Sequence, residues 1–145
     1  HEKEATISYE RMPTVEGYPI LMHQLFYNLI NNSLKFSKPE VKPLIQITVE
    51  TPSNAELSSY LLPQTDYSKI LISDNGIGFD QSYRDNIFKT FTRLHPKDRY
   101  EGTGLGLSLC KKIVERHGGI IDAKGTEDVG SVFKIIIPLR AGSQI

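Results

Sequence analysis

Apolar residues along this chain switch between two spacings. Ala5-Thr6-Ile7-Ser8-Tyr9-Glu10 alternates and holds β-formers, which predicts a first strand. The spacing then turns helical: Leu21, Leu25 and Leu29 recur a turn apart, with Phe26, Ile30 and Leu34 beside them. Pro19 suits a first helical turn, where its missing N–H costs nothing, and Lys38-Pro39 opposes continuation. A helix is therefore predicted from Gly17-Tyr18-Pro19 to about Phe36. Alternation returns in Leu44–Glu50 and Tyr67–Ser73, predicted as an antiparallel pair. Between them Thr51–Asp66, with Pro52, Asn54, Ser58, Ser59 and Pro63, reads as an exposed, mobile excursion. Ile87, Phe88 and Phe91 form the apolar face of a short helix predicted over Asp80–Phe91. Helical spacing resumes in Leu107–His117 and stops at Gly118-Gly119. Gly119–Lys124 and Ser131–Pro138 then read as a hairpin around Glu127-Asp128-Val129-Gly130.

Length and charge narrow the partners. A chain of 145 residues is one domain's worth and buries a core without disulfides. We take residues 1–140 as that domain and 141–145 as a tail. Seventeen basic and 17 acidic residues give zero formal charge, so neither a nucleic-acid surface nor direct membrane contact is expected. Cys110 is the single cysteine, sits in an apolar helical stripe and reads as core. No apolar run approaches membrane-spanning length, so a cytoplasmic, monomeric fragment is expected.

The polar positions carry the chemistry. Asn28, Asn32 and Lys35 stand at i, i+4 and i+7 on one stripe of the first long helix. That is either a solvated face or an amide oxygen for a hard cation beside an ammonium for phosphate. The strand ending at Ser73 runs into Asp74-Asn75-Gly76-Ile77-Gly78-Phe79, either an ordinary turn or a carboxylate poised to read a donor such as an exocyclic amine. Glu101-Gly102-Thr103-Gly104-Leu105-Gly106-Leu107-Ser108 places glycines at every second position directly before a helix. Unpaired helix N–H groups and a backbone free of Cβ atoms suit phosphate; the alternative is a plain connector. The spacing matches neither a P-loop nor a dinucleotide fingerprint. Arg93, His95, Lys97 and Arg99 make the segment before it basic, able to close over a polyphosphate or simply to be solvated.

Taken in order, these segments resemble the catalytic ATP-binding domain of sensor histidine kinases, of the GHKL (Bergerat) superfamily. Gln24–Phe36 resembles the asparagine box, Asp74–Phe79 the first glycine box, Ile87–Leu94 the phenylalanine box, and Gly102–Leu107 the second glycine box. Val114–Gly119 is similar to the usual sequel. The resemblance implies an α+β fold, a two-layer sandwich with a mixed, mostly antiparallel sheet, helices on one face and a mobile ATP lid over Thr92–Gly102. It implies ATP and Mg²⁺ as cofactors. Asn32, supported by Asn28, would hold the metal, and Lys35 would meet a phosphate. Phe36 would pack on adenine, Asp74 would accept from its amine, and Gly76 and Gly78 would allow close approach. Arg93, Gly102, Thr103, Gly104, Leu105 and Gly106 would bind the phosphates from the lid.

The same resemblance implies a reaction, transfer of the ATP γ-phosphoryl group to a histidine. None of His1, His23, His95 or His117 has the neighbours of the family's phosphoacceptor, so a separate helical dimerisation domain of the parent kinase is expected as partner, with a response regulator downstream. Where related ATPases carry a water-activating glutamate this chain has Asn28, which implies slow spontaneous hydrolysis. A nucleotide-binding regulatory module and another GHKL ATPase or serine kinase are the alternatives. Tyr18-Pro19 departs from the acidic residue many relatives carry at the helix entrance, which leaves that cap undefined.

Overall fold

The computed structural model describes residues 6–9, 15–80, 87–88 and 106–140. Alternating segments become the strands β1 (Thr6–Tyr9), β2 (Leu44–Glu50), β3 (Tyr67–Asp74), β4 (Ile120–Thr126) and β5 (Gly130–Pro138). The segments with helical spacing become α1 (Pro19–Lys35) and α3 (Gly106–Arg116), and a short helix α2 (Asn54–Ser59) lies between β2 and β3. The strands form one sheet in the order β1-β2-β3-β5-β4, with β1 and β2 parallel and the other pairs antiparallel. β2 and β3 pair as expected, Ile47 standing opposite Ile72.

One face of the sheet makes the main core. Ile45, Ile47, Ile70, Ile72, Phe133, Ile135 and Ile137 alternate toward Leu25 and Leu29 of α1 and Cys110, Ile113 and Val114 of α3. Ile87 is buried in this cluster, and Phe88 meets Phe133 edge-on at 6.1 Å between ring centroids. Ile87 and Phe88 lie in a turn; the rest of the helix predicted over Asp80–Phe91 falls outside the described residues, apart from Asp80, which is in no helix.

Topology sets the two helices side by side. β1 and β2 run parallel, and so do β3 and β4, each antiparallel to β5. α1 bridges the first pair and α3 the second, and both join the same core. β1 runs opposite to β3 while both crossovers step the same way along the sheet, so the two connections have opposite hands. One of them breaks the right-handed preference of such units, and that is what brings both helices to one face.

The entrance of α1 is closed from another helix. Tyr18 makes no side-chain cap and Pro19 has no N–H. The Tyr18 N–H instead donates to His117 Nε2 at 3.0 Å, just past the end of α3. The other ring nitrogen contacts the Ile113 carbonyl at 2.8 Å, which fixes the tautomer as Nδ1–H. A Cβ at Gly17 would reach 2.5 Å from this ring, so glycine is required there.

The excursion between β2 and β3 is better ordered than its composition predicts. Ser53 caps α2 by accepting from the Glu56 N–H at 3.1 Å, a Ser-x-x-Glu signature inside a stretch otherwise rich in loop formers. Leu57 is buried with Tyr67 and Ile136 in a second, smaller cluster on the opposite face of the sheet from α1 and α3. Glu56 bonds Lys69 at 2.8 Å and Lys134 at 2.7 Å, and Tyr60 donates to Asp122 at 2.7 Å. Burial alone would push the Glu56 carboxyl up, but its bonds to Lys134 and Lys69 outweigh that and hold it below its ordinary value of 4.5. Behind α2, the Leu62 and Leu61 N–H groups close on the Leu57 and Ser58 carbonyls in a Schellman pattern, with Leu61 at φ 59°. Glycine usually takes that position; here an almost fully exposed leucine does.

Two consequences follow from α2. Leu61→Gly should raise stability in urea unfolding by about 0.5–1 kcal/mol, because a Cβ is strained in the left-handed region. Glu56 stabilises the fold fully above its unfolded-state pKa and loses that contribution as pH falls through its lower folded value. Glu56→Gln should therefore flatten the decline in urea-unfolding stability between about pH 6 and about pH 3; an unchanged slope would show that the pair contributes nothing.

Candidate functional site

Three elements converge on the end of β3. Asp74 Oδ2 accepts from the Ser33 hydroxyl of α1 at 2.9 Å and from the Ser131 hydroxyl of β5 at 2.7 Å. Its Oδ1 accepts from the Gly76 N–H at 2.9 Å and, more loosely, from the Ser131 N–H at 3.3 Å. Ser33 and Ser131 are buried, 2% and 8% exposed, so each hydroxyl needs an internal partner, and this carboxylate is it. Ser33 directly follows Asn32, so the same bond that satisfies a buried hydroxyl sets the end of α1 beside the strand.

The glycines of this corner serve the backbone first. A Cβ at Gly76 would stand 2.5 Å from the Phe36 carbonyl, and that carbonyl accepts from the Ile77 N–H at 2.9 Å. Gly78 adopts φ +65°, and a Cβ there would run into the Thr126 and Gly130 carbonyls of the β4–β5 turn. Gly130, at φ +148°, is in turn pressed against the Asp74 carbonyl. The two glycines after Asp74 thus let α1's end and the β4–β5 turn close around it; approach to a ligand was the sequence-based reason for them. Asn75 is structural too, accepting from the Leu44 N–H at 2.9 Å and donating to the Lys42 carbonyl at 3.2 Å.

On α1, Phe36 is the C-cap, and Lys35 Nζ lies 5.4 Å from the centre of its ring. The Asn32 carboxamide makes no hydrogen bond among the described residues. Asn28 is engaged: its Oδ1 accepts from Gln24 Nε2 at 2.9 Å, and it also meets Cys110 of α3. Burial pushes the Cys110 thiol up to about 12, consistent with its reading as core. Gly106 opens α3, and a Cβ there would meet nothing within 4 Å among the described residues. Arg93, Gly102, Thr103, Gly104 and Leu105, with the lid predicted over Thr92–Gly102, lie outside the described residues.

The structure thus sets Asp74, Gly76 and Gly78 against the last turn of α1 through Ser33 and the Phe36 carbonyl; Asn28, Asn32 and Lys35 stand on that same helix. Ser33, Ser131 and Gln24 were missed in the sequence. Gln24 could have been found, since it extends the amide stripe by one more turn. Ser131 could not, because only strand register places it opposite Asp74.

Residues 17–141 match the family model described as histidine kinase-, DNA gyrase B- and HSP90-like ATPase. The chain belongs to this family. Within it, it is a catalytic ATP-binding domain of the sensor histidine kinase kind. It is 39% identical over 138 residues to cyanobacterial phytochrome A of Nostoc sp. strain PCC 7120, covering 95% of this chain and 16% of that protein. It is 30% identical over 129 residues to the adaptive-response sensory kinase SasA of Synechococcus sp. strain JA-3-3Ab, covering 88% of this chain and 30% of the relative. Among solved structures it resembles the catalytic domain of histidine kinase ThkA, with a TM-score of 0.67, 25% identity and coverage of 94% and 80%. Full-length ShkA in complex with AMPPNP shares the fold, with a TM-score of 0.72, 20% identity and coverage of 99% and 27%. The chain therefore spans about a sixth of the phytochrome and under a third of the sensory kinase.

Removing either serine hydroxyl should loosen the corner. Ser33→Ala and Ser131→Ala should each lower unfolding free energy by about 1–2 kcal/mol, and the double variant should depart from additivity because both donate to one oxygen. Additive losses would mean that the two hydroxyls act independently.

Proposed function

We propose that this domain binds Mg-ATP between α1 and the end of β3, and transfers its γ-phosphoryl group to a histidine on a separate helical dimerisation domain of a longer kinase. The observation that carries the reading is Asp74, held by bonds from α1, β5 and the following turn. Its Oδ1 is the less committed oxygen, one of its two contacts being 3.3 Å long, and is where an adenine amine would donate. Phe36 would lie against the base, and Gly76 and Gly78 would keep the turn tight beneath it.

The donor set suits magnesium. Asn32 offers a hard amide oxygen with no competing partner among the described residues, and the nearby Cys110 sulfur is buried. Among the described residues no three His, Cys, Asp or Glu gather into a metal cage. A magnesium ion that keeps water and takes most of its oxygens from the nucleotide needs only one or two protein ligands, Asn32 and, through water, Asn28. When bound, it would neutralise phosphate charge. Lys35 would add an ammonium, and Arg93 with Gly102, Thr103, Gly104, Leu105 and Gly106 would supply lid contacts.

An imidazole acceptor is nucleophilic when neutral, so transfer to histidine asks for positioning rather than a strong base. Asn28 cannot accept a proton near neutral pH, which fits slow loss of ATP to water. The parent protein would pass the phosphoryl group on to a response regulator. The described helices include none long and apolar enough to cross a membrane, and a cytoplasmic setting for this domain is part of the proposal.

Titration calorimetry with ATP and excess Mg²⁺ tests the reading. Binding is expected for the native chain and should fall by at least about a hundredfold in Asp74→Ala, which loses a charged partner for the base. Labelled phosphate from ATP should appear on an added helical dimerisation domain as acid-labile, base-stable label. Undiminished affinity in Asp74→Ala, or acid-stable label, would overturn the assignment.

A further inference from the structure

Gln24, Asn28 and Asn32 form a ladder of amides one turn apart along α1. The first two are joined, Gln24 Nε2 to Asn28 Oδ1 at 2.9 Å. Asn28 also lies beside the sulfur of Cys110 on α3. The Cys110 thiol proton is already directed at the Leu25 carbonyl, with Sγ 3.8 Å from that oxygen.

The contact between Gln24 and Asn28 sets the direction: Gln24 Nε2–H donates and Asn28 Oδ1 accepts, so the Asn28 oxygen faces Gln24 and its Nδ2 is turned the other way, toward the side of Cys110. Turning the Asn28 amide over alone would set N–H against N–H at 2.9 Å, so a donor at position 24 favours one of the two flip states.

We infer that Gln24 is a positioning residue for the nucleotide site: by donating to Asn28 Oδ1 it holds the Asn28 carboxamide in one of its two flip states. An Oδ1 lone pair and an Nδ2 proton would then stand in fixed directions for water around the metal. The Asn32 carboxamide, one turn on, has no hydrogen-bond partner among the described residues and would turn onto the metal itself. The inference rests on the proposed Mg-ATP reading of the same stripe.

Three substitutions separate this role from packing and from charge. Gln24→Lys can only donate, Gln24→Glu can only accept, and Gln24→Leu does neither. The readout is the ratio of ATP affinities with excess Mg²⁺ and with EDTA. Electrostatics alone would have the glutamate strengthen the metal contribution and the lysine weaken it. Flip control demands the reverse: Gln24→Glu and Gln24→Leu should lose about tenfold of the ratio, while Gln24→Lys stays within about twofold. A ligand-free readout runs beside it: the Asn28 side-chain amide proton resonances should shift in Gln24→Glu and keep their positions in Gln24→Lys. A Gln24→Glu ratio equal to or above the native one, with Asn28 resonances unmoved, overturns the inference. Asn28→Ala separates the two layers. If it lowers the ratio while Gln24→Glu does not, only the role of Gln24 fails; if native protein shows no Mg²⁺ dependence, the metal reading fails and the resonances alone decide Gln24.

Discussion

A single carboxylate ties the corner at the end of β3 together. α1 otherwise meets the sheet through apolar contacts, which attract without fixing register. The Ser33–Asp74 bond adds direction: it sets the last turns of α1 against the end of β3, and Ser131 does the same for β5. An acceptor-only group surrounded by four protein donors is well satisfied only in one arrangement of its neighbours. The close backbone approaches at Gly76, Gly78 and Gly130 follow from it, since the turns could not reach the carboxylate with side chains in the way.

Around that anchor the proposed site is built from neutral amides and one lysine. Phosphoryl transfer rewards such a set, because little covalent chemistry falls to the protein and much depends on where charges and dipoles stand. A neutral amide holds direction without titrating, but its two ends look alike in shape, so something must choose between them. For Asn28 we infer that the choice is made by Gln24, one turn earlier on the same helix. Cys110, buried and kept protonated by burial, lies beside Asn28, so the core of the fold reaches the proposed site without any charged group.

The other face of the sheet is a separate structure. α2, pinned by Glu56 between Lys69 and Lys134 and by Tyr60 on Asp122, covers the ends of β3 and β5 away from Asp74. Its half-buried ion pairs hold the helix to the strands rather than forming a site. With α1 and α3 on one face and α2 on the other, the corner at Asp74 lies at the opposite end of β3 from these ion pairs, and changes in α2 should be felt as stability rather than chemistry.

How much of this could be read from the chain varies with the range of the interaction. Helical and alternating spacing gave α1, α3 and the long strands with small errors at their ends, because those patterns are local. α2 was missed although Ser53 and Glu56 announce a capping box, since prolines and serines outweighed it. The candidate residues Asn28, Asn32, Lys35 and Asp74 stood out by type and spacing, while Ser33 and Ser131 look like any other serines. By itself, then, the sequence determined which segments are helix or strand, which family the motifs resemble, and which side chains have chemistry to offer. Tertiary structure decided the partners: that Asp74 meets two serines distant in the chain, that His117 closes the start of α1, and that Cys110 faces Asn28. Those contacts depend on strand order and crossover hand, and no local pattern of residues encodes either.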